Sequence, residues 1–162
     1  MPQLIKDRAL ASSDWVVAEG EVPADAQRLV LPLADYLKAV AAGEPLHDRA
    51  VLLKPEDLDL SALLPHLAQL PLIAVFFGST GEGRGYTQAR LLRDRHGYKG
   101  ELRAVGKIRV DQIYLLARCG FDAFELLDGE DPAMAIAQLE RFSVAYQPGA
   151  DGLTHPRRRY SG

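Results

Sequence analysis

Leu72-Ile73-Ala74-Val75-Phe76-Phe77-Gly78-Ser79-Thr80-Gly81-Glu82-Gly83-Arg84-Gly85-Tyr86 runs from an unbroken apolar stretch through a glycine-rich loop into a helical pattern. A short, fully apolar run bounded by a turn reads as a strand buried on both faces, the kind found in parallel sheets. After the loop, Tyr86, Ala89 and Leu92 share one helical face, and Gly97 marks the stop. Strand, loop and helix therefore form one βα unit. The same rhythm recurs on both sides, with β-prone runs at 28–31, 50–53, 72–77, 101–105 and 121–126. Their starts are 22, 22, 29 and 20 residues apart. Strands alternating with helices predict a mostly parallel α/β sheet of about five to six βα units with helices packed on it. A complete eight-unit barrel needs about 250 residues, so the open choices are a doubly wound sheet and a partial barrel.

The helical stretches carry their own punctuation. Leu33, Leu37, Val40 and Ala41 fall on one face ahead of Gly43, and Val110, Ile113, Tyr114 and Ala117 do so ahead of Gly120. Asp131 followed by Pro132 is a good helix start, with Ile136, Leu139 and Phe142 as the apolar stripe. The segment from Ser61 to Leu70 is the weakest helix, because Pro65 fits only in a first turn. Two short strands are expected beyond these units. Asp14–Ala18 is read as a strand, with half of a hairpin against Leu4-Ile5 as one placement for it, and Val144–Tyr146 as a sixth strand. The expected organisation is one α/β domain over 1–147, with 1–26 as a lead-in, and a flexible surface extension over 148–162.

The chain has 162 residues, 48% hydrophobic and 25% charged, with a net charge of −3. That composition excludes disorder over most of the length and offers no basic field for nucleic acid. The single cysteine, Cys119, cannot form an internal disulfide. The longest apolar run, 70–77, is far short of the roughly 20 residues that span a bilayer. The charged opening lacks the apolar core of a secretory signal. A cytoplasmic protein with no nucleic-acid or membrane partner is expected.

Few residues point to chemistry. The loop 78–85 holds four glycines and Arg84 and precedes a helix, so it reads either as an anion site or as a bare turn. It lacks the Gly-Lys-Ser/Thr of a phosphate-binding loop and fits the dinucleotide fingerprint poorly. Arg90, Arg93 and Arg95 read as a solvated face, with Arg90 and Asp94 spaced for an ion pair. Arg103 and Glu125 are different, because each lies inside a strand run. A pair between adjacent strands is the simplest way to bury them, with a ligand contact at the strand ends as the alternative. Asp111 and Gln112 open a helix, where an acid complements the dipole. Cys119 lies at a helix C-terminus and reads as a buried, unreactive thiol. No flavin, nicotinamide, haem or cluster motif is found, and the four histidines have no ligand spacing, so no cofactor or metal is implied.

Three strings carry a resemblance: 83–93 (Gly-Arg-Gly-Tyr-Thr-Gln-Ala-Arg-Leu-Leu-Arg), 100–106 (Gly-Glu-Leu-Arg-Ala-Val-Gly) and 118–125 (Arg-Cys-Gly-Phe-Asp-Ala-Phe-Glu). With Leu4-Ile5-Lys6 and Phe142–Gln147, they make the chain resemble the bacterial domain of unknown function 934 family over about residues 1–147. Members are commonly described as candidate oxidoreductases of sulfite reduction, because their genes neighbour that of sulfite reductase. The resemblance carries over no catalytic residue. The chain departs from the family pattern at Glu82, where Asp is usual, at Lys107, where an acid is usual, and at Arg109, displaced by one place.

The functional expectation is an accessory protein of assimilatory sulfite reduction that binds an anionic ligand or docks on the reductase. Its candidate site comprises Gly83, Arg84, Gly85, Tyr86, Arg90, Arg103, Asp111, Gln112 and Glu125. Two alternatives stay open. One is a small α/β enzyme acting on a phosphorylated or carboxylated metabolite, with Asp111 or Glu125 as acid/base. The other is a homodimeric interaction module that uses open sheet edges.

Overall fold

The structure is a computed structural model and describes residues 3–78 and 83–145. Eight strands form one sheet: β1 (Gln3–Lys6), β2 (Ala9–Ala11), β3 (Trp15–Val17), β4 (Arg28–Pro32), β5 (Arg49–Leu53), β6 (Leu72–Phe77), β7 (Glu101–Ile108) and β8 (Ala123–Leu126). The helices are α1 (Leu33–Ala41), α2 (Arg84–Arg90), α3 (Ile113–Arg118) and α4 (Pro132–Ala145). A widened turn, Leu91–Arg95, continues α2. Tighter 3-10 turns occupy Leu64–Gln69, with Pro65 in the first turn, and Val110–Gln112.

The spatial order is β2-β1-β8-β7-β6-β5-β4-β3. From β3 to β8 every neighbouring pair is parallel. Each crossover thus moves one place in the same direction, and right-handed crossovers then deliver all the helices to one face. This excludes the doubly wound alternative, in which the order reverses, and leaves the partial barrel. The sheet also has more strands than expected, because the lead-in adds an antiparallel pair: β1 against β8, and β2 against β1. Leu4-Ile5 therefore does form a hairpin, but with Ala9–Ala11. Trp15–Val17 is a parallel strand at the opposite edge. The expected strand at Val144–Tyr146 is corrected too: Val144 and Ala145 end α4, and Tyr146 lies outside the described residues, as does 148–162.

Chain length shows that the sheet curls. Eight flat strands about 4.8 Å apart would place the outer two roughly 34 Å from each other. Yet β2 ends at Ala11 and β3 begins at Trp15, and four Cα steps span at most about 14 Å. The two edges must bend toward each other, and Ser12-Ser13-Asp14 straps across the gap.

Alternation divides the strands between two apolar layers. On the convex side Ile73, Val75, Phe77, Leu102, Ala104, Phe124 and Leu126 meet the helices through Tyr36, Ala89, Leu92, Ile113, Leu116, Ala135 and Leu139. In α1 the buried residues are Tyr36 and Ala39, while Leu33, Leu37 and Val40 are half-buried and Ala41 is exposed. On the concave side Val30, Ala50, Leu52, Leu72, Ala74 and Val105 pack with Trp15, Val17 and Phe76. Strand β7 carries a bulge next to β8. Val105, Gly106 and Lys107 occupy the space opposite Glu125 alone. Gly106 takes φ +99° there, and a Cβ on it would meet the Phe77 carbonyl. Such a bulge re-aims the residues beyond it, which here are those entering the Val110–Gln112 turn.

Candidate functional site

Residues of the expected site fall into two groups on opposite faces of the sheet. The first lies at the carboxyl ends of β6 and β7, on the helix side. Gly85 sits in the first turn of α2, where a Cβ would stand 2.5 Å from the Phe77 ring. The missing side chain lets α2 start flush against the strand it follows. Tyr86 then meets Phe77 edge to face at 5.3 Å. Burial raises the Tyr86 pKa, Gln112 beside its hydroxyl lowers it, and the nearby Asp111 charge raises it. Gln112 is buried, and its Oε1 accepts the Arg109 N–H at 2.8 Å. Arg84, Gly83 and Asp111 are exposed around this junction. Arg90 lies 3.5 Å from Asp94, as its spacing predicted, and also touches the Cys119 thiol. That thiol is buried, and desolvation raises its pKa against the opposing pull of Arg90.

The second group lies on the concave face. Leu102 and Ala104 point to the helices, so Arg103 points the other way. Its guanidinium is buried and donates to Glu101 Oε2 from Nε at 2.7 Å and lies 2.6 Å from it at Nη2. Nη1 donates to Ser13 Oγ at 3.1 Å and to Glu125 Oε2 at 3.4 Å. Lys6 completes the ladder at 2.8 Å from Glu101 Oε1, and this bond, offset in part by desolvation, raises the Lys6 pKa. The expected Arg103–Glu125 pair is therefore present, though Glu101 makes the shorter contacts. Gly83, Arg84, Gly85, Tyr86, Arg90, Asp111 and Gln112 are thus gathered on one side, and Arg103 and Glu125 on the other.

Two residues of the 83–93 string have roles the sequence reading missed. Gln88 is buried and donates from Nε2 to the carbonyls of Lys54 and Asp57 at 2.9 and 2.8 Å. It fixes the turn that leaves β5, where Lys54 pairs with Glu19. The available signal was a polar residue next to Ala89 on the apolar side of the helix. Arg93, read as part of a solvated face, donates to the carbonyls of Gly120, Tyr98 and Gly100 at 2.8–2.9 Å. Asp122 completes the knot by accepting the Leu102 N–H at 2.8 Å and facing Arg93 at 3.7 Å. Its carboxyl pKa is raised by desolvation, with the Leu102 N–H and Arg93 opposing.

The three strings thus share a mechanical role, tying the turn that continues α2, the 98–102 segment and the turn before β8 together at the amino ends of β7 and β8. Glu82 lies outside the described residues, while Lys107 within the bulge and Arg109 beyond it are exposed. Among the described residues no helix is long and apolar enough to cross a membrane. No curated protein matches the chain. Residues 40–156 match the model of the family described as bacterial protein of unknown function (DUF934), and the chain belongs to that family.

Proposed function

We propose that the protein is an accessory factor of assimilatory sulfite reduction that binds a small oxyanion at the carboxyl ends of β6 and β7. One observation supports this most: Gly85 against Phe77 and Tyr86 beside Gln112 bring the start of α2 and the Val110–Gln112 turn together. They meet where α/β sheets receive ligands, with Arg84 at an exposed position in the first turn of α2. The sulfite context comes from the family resemblance. Arg103 is not part of this reading, because Glu101 and Glu125 already take up its charge.

Calorimetric titration of the full chain with sulfite and with inorganic phosphate tests the binding. Saturable heat that Arg84→Ala weakens supports it, and no heat from either anion overturns it. Affinity capture from a cell extract tests the context: recovery of sulfite reductase supports it. Failure to recover the enzyme, with unchanged growth on sulfite after deletion, overturns it.

A second reading, homodimerisation through a sheet edge, is favoured by β2, where all three residues are exposed and Leu10 is 58% exposed. An unpaired edge with an apolar side chain invites strand pairing. A sedimentation mass equal to one chain would reject it.

A further inference from the structure

The curled sheet does not close, and a cleft opens where its edges approach each other. The cavity there measures about 480 Å³, within the range of small-molecule sites. Leu4, Leu10, Ala11 and Trp15 supply apolar walls, while Ser13 and Glu125 supply polar ones. We propose that this cleft binds a small amphipathic amine, its apolar body against Trp15 and its ammonium on the Glu125 carboxylate.

Three features of the cleft carry this assignment. Glu125 is the one charged group among the residues that line it, so an anionic head would be repelled. Its carboxylate is held by one long contact and stays open to the cleft. Arg103 reaches Glu125 Oε2 at 3.4 Å but spends its 2.6 and 2.7 Å contacts on Glu101. The Glu125 side chain keeps 30% of its exposure. The apolar wall comes from both edges of the sheet, with Leu10 and Ala11 in β2 and Trp15 in β3, so an occupant would bridge the seam. A flat apolar body in contact with Trp15 and a donor head on Glu125 match that division. The cleft lies on the concave side, away from the Gly83–Tyr86 turn, and takes the opposite charge, so the two sites succeed or fail separately.

Trp15 is the single tryptophan of the chain and reports directly on the cleft. Phenethylamine titrated into the full chain should change Trp15 emission saturably, and phenylacetate should not. Glu125→Gln should weaken the amine response roughly tenfold or more, the loss expected of one charge-assisted hydrogen bond. Ala11→Phe, at an exposed position away from the ion-pair ladder, should abolish the response by filling the cleft. An absent or non-saturable amine response, an equal response to phenylacetate, or full amine binding by Ala11→Phe would overturn the proposal.

Discussion

Arg103 and Glu101, two residues apart on β7, grip each other on the concave face through contacts of 2.6 and 2.7 Å, with Arg103 4% and Glu101 10% exposed. Removing one member of a buried ion pair leaves the other uncompensated, at a cost of about 3–5 kcal/mol. Glu125 and Ser13 still hold Arg103 after Glu101→Gln, so the loss should fall near 3 kcal/mol at the lower end of that range. Urea denaturation measures it, and a loss under about 1 kcal/mol would show that the ladder contributes little to stability.

Gly85→Ala tests the seat of α2. The added methyl would stand 2.5 Å from Phe77 Cζ. Overpacking of this kind costs about 1–3 kcal/mol. Phe77→Leu should cost stability alone yet cost less in the Gly85→Ala background, giving a measurable coupling in a double-mutant cycle. Strict additivity would place the strain elsewhere.

Arg93→Lys should be far from conservative. The guanidinium reaches three carbonyls on two segments, a fan that a single ammonium cannot reproduce. Losing even one such charged hydrogen bond costs about 1.5–3 kcal/mol, and the variant should fall by at least that much in chemical denaturation. A lysine variant as stable as the parent would mean that the three bonds add nothing net.

The β1–β2 hairpin carries strain that can be relieved. Asp7 and Arg8 form its two-residue turn with φ of +53° and +64°. Left-handed backbone is unfavourable for such residues, and turns of this type prefer glycine at the second position. Arg8→Gly should therefore raise stability by about 1 kcal/mol. An unchanged or lowered denaturation midpoint would contradict this.

Stability should decline as pH rises past 10. Burial raises the pKa of Tyr36, Tyr86 and Tyr98 above the ordinary 10.0, and Glu101 raises that of Lys6 above 10.5. In each case the folded state holds its proton more tightly than the unfolded state. The stabilisation is complete below the unfolded values and is lost as pH climbs through the folded ones. Absorbance at the tyrosinate band should therefore rise later for these three phenols than for an exposed tyrosine, and Tyr98→Phe should shrink that late step. Titration of every tyrosine in one step at the ordinary value would refute the assignment.

The Arg103–Glu125 pair was legible because its signal is local. A charge inside an apolar strand run must be paired, and that reasoning anticipated Arg103 with Glu125 from two short stretches. Glu101 outranks Glu125 because both are within reach and the same-strand neighbour reaches further around the guanidinium, a matter of side-chain conformation that spacing does not specify. Arg93 was misread because a helical wheel records only the helix itself. The carbonyls that Arg93 binds belong to turns brought alongside by the fold.

The sequence by itself determined the alternation of strand and helix, the starts and stops, and the face each strand residue takes. These follow from periods of two and 3.6 residues and from backbone limits at proline and glycine. Tertiary structure alone decided the one-directional strand order, the antiparallel β1–β2 pair and the curl that leaves an open seam. It also decided the division of the candidate residues between two faces. Those outcomes depend on crossover handedness, sheet twist and packing between segments far apart in the chain, none of which a local pattern encodes.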